Sequence, residues 1–535
     1  MSSGVLGPPA RAEALRRLRG ERFDVLVVGG GITGVGIALD AATRGLRVAL
    51  VEAHDIAAGT SSRSSKLIHG GLRYLEMLDF GLVREALRER RLLLTRLAPH
   101  LVRPVPFLFP LRHRVWERPY MGAGLLLYDS MGGARHLPRA RHLSKAAALR
   151  SAPALRPDSL VGAVRFHDAQ EDDARFAVHV ARTAAAHGAA IATRATLTAF
   201  VRDEGGRIAG AEIRCGDEAF AVRARHTVAA AGVSTDRILE LATGHAHHEL
   251  RPSKGIHLLV PRDCIPMRTG LFMRTEKSIF HAIPWGEDHW LLGDTDTEWD
   301  GEPDAPVANR ADIEYVLGKV NSVLRSPVLA DRVCGVYAGL RPLVAAAGAA
   351  ATTRLSREHR LFAPAPGLTA IAGGKYTTYR VMARDAVDAA ARDLGGAVPA
   401  SRTQEVPLLG ADGDGAEAEL SALTAAQPEL GRPLAGAERH SAARVVHACS
   451  HEGALDLDDV LSRRLRVSIE VPDRGRAAAA ACAPLIAPVL GWSDARAADE
   501  VARYVRLRDA EAAAEAAPDD TTARERYRAV LGGSA

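Results

Sequence analysis

At 535 residues the chain is too long for one compact core, and at least two domains are expected. Hydrophobic residues at 47% and charged residues at 25% exclude wholesale disorder. The net charge of +5 is spread thinly, without dense basic patches interleaved with aromatics; this excludes nucleic acid as a partner but favours anionic ligands or an anionic membrane surface.

Cys215, Cys264, Cys334, Cys449 and Cys482 form no CxxC pair, so no disulfide framework, zinc site or iron–sulfur site is expected, and a reducing cytoplasm fits. No metal is expected. No apolar run approaches the roughly 18 residues of a spanning helix, so any membrane contact would be peripheral. Residues 1–20 contain Pro, Gly and Arg without an apolar stretch and read as a flexible tail.

Phe23–Val28 reads as a strand, Gly29-Gly30-Gly31-Ile32-Thr33-Gly34 as a glycine turn opening a helix, and Leu46–Glu52 as a second strand with an acidic tip. Gly29 permits the tight turn, Gly31 lets backbone N–H groups approach a pyrophosphate, Gly34 lets the helix pack on the strand, and Glu52 suits a ribose hydroxyl. This is a dinucleotide fingerprint, and it does not choose between FAD and NAD. Residues 59–75, hydroxyl- and glycine-rich, form a loop too long for a simple turn, whose hydroxyls and backbone donors could line a pyrophosphate or a flavin edge.

Residues 82–98 predict an amphipathic helix with a basic outer face. The irregular stretch 104–128 mixes Arg112, Arg114, Trp116, Arg118 and Tyr120 with apolar groups and could lie on an anionic bilayer. Arg165–Phe176 opens a helix with an acidic first turn. Strands follow at 190–193, 196–201 and 207–213, and Thr227–Asp236 brings a second glycine turn at Gly232.

The region 251–341 is rich in short strands and suggests an antiparallel sheet. Asp294, Asp296, Glu298 and Asp300 resemble a calcium loop, but Trp299 stands where that loop demands glycine. A third glycine turn, Gly373-Gly374-Lys375-Tyr376-Thr377, joins strand to helix. Residues 401–415 read as a linker, and 416–535 as all-helical.

Three glycine turns, Ser64-Ser65-Lys66-Leu67-Ile68-His69-Gly70-Gly71-Leu72-Arg73-Tyr74-Leu75, Gly339-Leu340-Arg341-Pro342-Leu343 and Gly373-Gly374-Lys375-Tyr376-Thr377-Thr378-Tyr379-Arg380 together resemble the FAD-dependent sn-glycerol-3-phosphate dehydrogenases over about residues 21–400. Leu455–Arg464 resembles that family's C-terminal helical domain. The resemblance implies an α/β fold of the D-amino-acid oxidase type: an FAD-binding Rossmann-like domain (about 21–110, 160–250 and 340–400), an antiparallel substrate domain (about 111–160 and 251–340) and the helical domain.

It implies FAD contacts at Gly29, Gly31, Gly34, Glu52, Thr60, Ser61, Ser64, Ser65, Lys66, Leu67, His69, Gly70, Gly232, Gly373, Gly374, Lys375 and Thr377. The implied pocket for sn-glycerol 3-phosphate comprises Arg73, Tyr74, His257, Arg341, Arg357 and Lys375, with His257 and Arg341 catalytic. Several fixed cations suit a phosphate monoester, and an imidazole is sufficiently unprotonated near neutrality to serve as the base. Two departures stand out: Ala229-Ala230-Ala231-Gly232-Val233-Ser234 replaces an Asn-Ala-Thr-Gly-Pro-Trp-type turn, and Asp294 stands where threonine is common.

The expected partners are a quinone acceptor, the inner face of the cell membrane as a peripheral support, and a second copy of the chain. An oxidase releasing peroxide, an amino-acid or amine oxidase on the same fold, and a flavin-bearing sensor without turnover are the competing readings.

Overall fold

The computed structural model describes residues 4–71, 79–113, 116–132, 137–275, 279–293, 295–345, 358–413 and 415–532. Its first layer is a sheet whose central strand, Arg22–Val28, pairs in parallel with Glu218–Ala229 on one side and Val48–Glu52 on the other. Ala190–Thr193 and Leu368–Gly373 extend it in parallel, and His359–Ala365 closes that edge antiparallel. The central strands are apolar on both faces because helices cover both, as parallel sheets require. The helices Ile32–Thr43, Asp173–Ala186 and Tyr379–Leu394 supply one core with Val35, Leu39, Phe176, Ala181 and Val387.

The second layer is a ten-stranded sheet, antiparallel except where Gly270–Arg274 runs parallel to Arg103–Leu111. Arg103–Leu111 and Gly162–Gln170 lie in this sheet, although the sequence reading placed both in the nucleotide-binding unit. Their alternating aromatics explain the reassignment. Phe107 stacks on Phe166 at 5.7 Å, and both meet Phe272 edge-on, a cluster that only the second sheet can complete. The stretch 104–128 is thus regular: a strand followed by the helix Glu117–Gly132.

The expected tail is a helix over Pro8–Gly20, opened by its prolines and anchored by buried Leu15 and Leu18. Arg11 donates to the Thr193 carbonyl at 2.9 Å. The expected linker is docked where it is described: Leu408 is buried in the nucleotide-binding core, and the Leu409 N–H donates to Thr183 at 3.1 Å. The expected helix at 82–98 runs Phe80–Leu92 and ends in a wider turn, but Arg90 points inward to Asp168 at 2.5 Å.

The C-terminal domain packs its helices around Val445, Leu461, Ile486 and Tyr504, and it includes one short hairpin, Pro433–Leu434 with Ala437–Ser441. Its last helix, Asp520–Leu531, returns to the second sheet, where buried Lys254 meets Asp520 as well as Asp312 at 2.6 Å.

Candidate active site

The glycine turn builds the cofactor end of the site. Gly29 has φ of 111°, and the helix Ile32–Thr43 starts at Gly31 without a side-chain cap, so its first N–H groups face the turn. A Cβ on Gly34 would stand 1.9 Å from the Gly29 carbonyl oxygen, so only glycine lets the helix approach the strand this closely. Glu52 reaches back to this turn: its Oε2 accepts the Gly30 N–H at 2.5 Å and its Oε1 the His54 N–H at 2.7 Å. Burial raises the Glu52 pKa, and the two N–H donors oppose that shift. Each oxygen retains a lone pair for a ribose hydroxyl. A helix N-terminus beside a glycine turn and an acid suits a pyrophosphate with its ribose, so the residues fit FAD.

The hydroxyl-rich loop lies between the two sheets and bonds to both. On the cofactor side, Ser61 Oγ accepts the Ile32 N–H at 2.9 Å. On the other side, Thr60 donates to the Leu340 carbonyl at 2.6 Å, and Tyr337 donates its hydroxyl to the Ser64 carbonyl at 2.7 Å. Ser65 Oγ lies 3.0 Å from His257 Nε2.

The ammonium of Lys66 is committed to a buried carboxylate. Fully buried, it pairs with Asp173 at 2.8 Å and donates to the Ser62 carbonyl at 3.2 Å. Burial and the neighbouring Arg466 lower its pKa, while burial of Asp173 is outweighed by Lys66 and Arg466, which hold that carboxyl below its usual range. Asp173 also accepts from the Ser64 hydroxyl at 2.7 Å.

His257 and Arg341 come together through register. Their strands, Leu250–Pro261 and Gly335–Val344, pair antiparallel with His257 opposite Tyr337 and Ser253 opposite Arg341. Residues 253, 255 and 257 thus share one face with 337, 339 and 341. Tyr337 stacks on the His257 imidazole at 5.0 Å between ring centres. Arg341 donates to Ser253 Oγ at 3.2 Å and to the Thr295 carbonyl at 2.9 Å, which aims the guanidinium along that face.

The late glycine turn meets the end of the same strand. Gly373 and Gly374 have φ of 77° and 80°, and a Cβ on Gly373 would lie 3.0 Å from Val344 Cγ2. Nearly buried Lys375 follows, and Thr377 Oγ1 accepts the His69 N–H at 3.1 Å. Gly232 has φ of 56° at the end of the central parallel strand Glu218–Ala229. Leu67 pairs with Gln170, and the Gly70 N–H donates to the Tyr128 hydroxyl at 2.9 Å. Arg73, Tyr74, Arg357 and Asp294 lie outside the described residues. Among the described residues no His/Cys/Asp/Glu group could hold a metal. Trp299 is buried beneath the cations of Lys254 and Arg524, 5.5 Å from each, which is incompatible with a calcium loop.

Sequence reasoning missed Tyr337, Asp173, Tyr128 and Arg466. Tyr337 sits four residues before Arg341, and strand periodicity was the available signal for it. Arg466 carried no signal, because its partners lie almost three hundred residues away. Glu171 was also missed. It is buried beside the loop, its N–H donates to the Lys66 carbonyl at 3.1 Å, and burial together with Asp173 and Asp172 keeps its carboxyl protonated well above the ordinary range.

The family of FAD dependent oxidoreductases matches residues 24–380, and the C-terminal domain of alpha-glycerophosphate oxidase matches residues 413–497. Glycerol-3-phosphate dehydrogenase 2 of Mycobacterium tuberculosis is 49% identical over 97% of this chain and 94% of its own length. The chain belongs to the FAD-dependent glycerol-3-phosphate dehydrogenase family. Among solved structures, the glycerol-3-phosphate dehydrogenase of Bacillus halodurans, complexed with FAD, superposes with a TM-score of 0.73 at 25% identity, covering 93% of this chain and 97% of its own. An L-alpha-glycerophosphate oxidase from Mycoplasma pneumoniae shares the fold with a TM-score of 0.55 at 19% identity, covering 72% of this chain and 99% of its own. The family's fold thus accounts for both sheets, and the helical C-terminal domain is part of its architecture.

Proposed function

We propose that this dehydrogenase oxidises sn-glycerol 3-phosphate to dihydroxyacetone phosphate and passes the electrons to a membrane quinone. The observation that carries the reading is the shared face of His257 and Arg341, crossed by the loop that also caps the dinucleotide turn. Bound FAD supplies the acceptor for the hydride leaving C2.

Arg341 and Lys375 hold the phosphate, with Arg73, Tyr74 and Arg357 assigned to the same pocket by sequence. The guanidinium of Arg341, fixed by Ser253 and Thr295, offers two parallel N–H donors to phosphate oxygens. His257 takes the proton of the C2 hydroxyl as the C–H electron pair departs, leaving the ketone. Its contact with Ser65 and its stack on Tyr337 fix the ring plane, so proton transfer needs no reorientation.

For the quinone, Trp116, Tyr120, Leu127 and Phe80 are exposed on or beside the helix Glu117–Gly132, with Arg112 and His113 next to them. Aromatic and basic groups of this kind suit peripheral contact with an anionic bilayer. No helix among the described residues is long and apolar enough to cross a membrane.

Anaerobic titration with glycerol 3-phosphate, followed by flavin absorbance and then by addition of quinone in anionic vesicles or of oxygen, tests the reading. Flavin bleaching with reoxidation by quinone is expected. Stoichiometric peroxide release without quinone would assign an oxidase, and bleaching by an amino acid in place of glycerol 3-phosphate would overturn the substrate.

A further inference from the structure

The C-terminal domain touches the active site through one short basic tract. Arg463 and Arg464 both bind buried Asp55, just after the Glu52 tip, at 2.7 and 2.8 Å. Two residues on, Arg466 adopts φ of 65° and sends a buried guanidinium beneath the hydroxyl-rich loop. There it donates to the Ser62 carbonyl at 3.2 Å and to Asp172 at 2.6 Å, and it contacts Asp173. Asp173 in turn holds the Ser64 N–H at 2.9 Å, the Ser64 hydroxyl and Lys66. Between Ser64 and Lys66 stands Ser65, the hydroxyl against His257.

We propose that Arg466 is a positioning residue: through Ser62 and Asp173 the C-terminal domain sets the loop that caps the cofactor turn at Ser61 and orients His257 at Ser65. The loop has few means of holding itself. Among its described residues it contains a short turn, Thr60–Ser62, a two-residue strand, Leu67–Ile68, and Lys66 at φ of 56°, a backbone conformation a lysine keeps only when its surroundings impose it. Arg466 and Lys66 are the two cations on Asp173. Removing Arg466 leaves Asp172 without this partner and Asp173 with Lys66 as counter-charge in a buried setting, which favours rearrangement of the loop. Both consequences reach the chemistry, one through the N–H groups of the glycine turn and the other through the plane of the imidazole. The inference rests on the substrate reading for its catalytic half and is independent of it for its cofactor half.

The test compares Arg466→Met and Arg466→Lys with Arg474→Met in the full-length enzyme. Arg474 is a fitting control: it also sits at left-handed φ, of 57°, in the same domain and is paired with Glu515, but it does not touch the loop. FAD dissociation is measured first, without substrate. Arg466→Met is expected to weaken FAD about tenfold or more, Arg466→Lys to recover part of the loss, and Arg474→Met to match the wild type. At saturating FAD, Arg466→Met is expected to lower kcat about tenfold while KM for glycerol 3-phosphate changes less, because Arg341 and Lys375 lie on other segments.

Wild-type FAD affinity and kcat in Arg466→Met would overturn the inference, as would equal losses in Arg466→Met and Arg474→Met. If Arg466→Met does not fold, Arg466→Lys with wild-type values in both measurements overturns it. If wild-type flavin is not reduced by glycerol 3-phosphate, the substrate reading fails, and the FAD measurements still decide whether Arg466 sets the loop.

Discussion

Gly34→Ala tests the cofactor site most directly, because its cost follows from one distance. The added Cβ would stand 1.9 Å from the Gly29 carbonyl oxygen, and the obstacle is backbone, which no side-chain rotation clears. The start of the helix Ile32–Thr43 must therefore retreat by about 1 Å or more. That retreat withdraws the first-turn N–H groups from the position where the dinucleotide phosphates bind and loosens the 2.9 Å bond from Ile32 to Ser61. Losing one or two charge-assisted bonds amounts to about 2–4 kcal/mol, or about 30- to 1000-fold in FAD affinity. Overpacking would add about 1–3 kcal/mol of lost stability in the apoprotein. The assay is reconstitution of apoprotein with FAD by fluorescence quenching, alongside thermal unfolding. Gly318→Ala, in the helix Arg310–Asn321 with open space around the added methyl, serves as the control and should be neutral or mildly stabilising. If Gly34→Ala holds FAD within threefold of wild type, the close helix–strand contact is not what binds the cofactor.

Three further outcomes are expected. His257→Asn should lower turnover by about 100- to 10,000-fold while flavin content holds; unchanged turnover across the pH range would remove His257 as the base. Arg341→Met removes a guanidinium fixed by Ser253 and Thr295, and kcat/KM for glycerol 3-phosphate should fall about 10- to 150-fold; an unchanged value would place the phosphate elsewhere. Glu470, whose Oε1 accepts the Trp285 indole N–H at 2.7 Å, has its pKa pushed up to about 7 by burial. Because the folded state holds this proton more tightly than the unfolded chain, its stabilising contribution is complete below the ordinary carboxyl pKa and is lost as pH rises through 7. Glu470→Gln keeps an acceptor for the indole and removes the titration, so it should be more stable than wild type at pH 8, by at most about 3 kcal/mol, and nearly equal at pH 4. Thermal unfolding at both pH values checks this, and a difference that does not change with pH would refute the assignment.

What was legible in the sequence follows from how local each signal is. The glycine turn, the acidic tip and the late Gly-Gly-Lys turn are each a short local stretch, and their backbone demands are met by the residues that announce them. The assignment of Arg103–Leu111 to the second sheet was not legible, because its partner aromatics Phe166 and Phe272 lie far along the chain and an apolar strand reads alike in either sheet. The N-terminal helix was missed for a related reason. Its polar residues are mostly solvent-facing, and the packing of Leu15 and Leu18 on the sheet together with the Arg11 bond to Thr193 shows that the segment is held.

Lys66 shows the same limit within the site. The resemblance implies an FAD contact at Lys66, and sequence alone could not reveal that Asp173, more than a hundred residues on, would take its charge. That pairing changes what the loop can do. A free lysine beside the cofactor would add positive charge to the site, whereas Lys66 buried against Asp173 and beside Arg466 spends its charge on holding the loop's shape. Among the described residues, the cations proposed for the phosphate are Arg341 and Lys375, which lie on a strand and a turn outside that loop. The proposed division is physically sensible: a charge committed to a buried pair is poorly available to a substrate that must also leave, so cations that fix the loop and cations that bind a ligand are best kept separate.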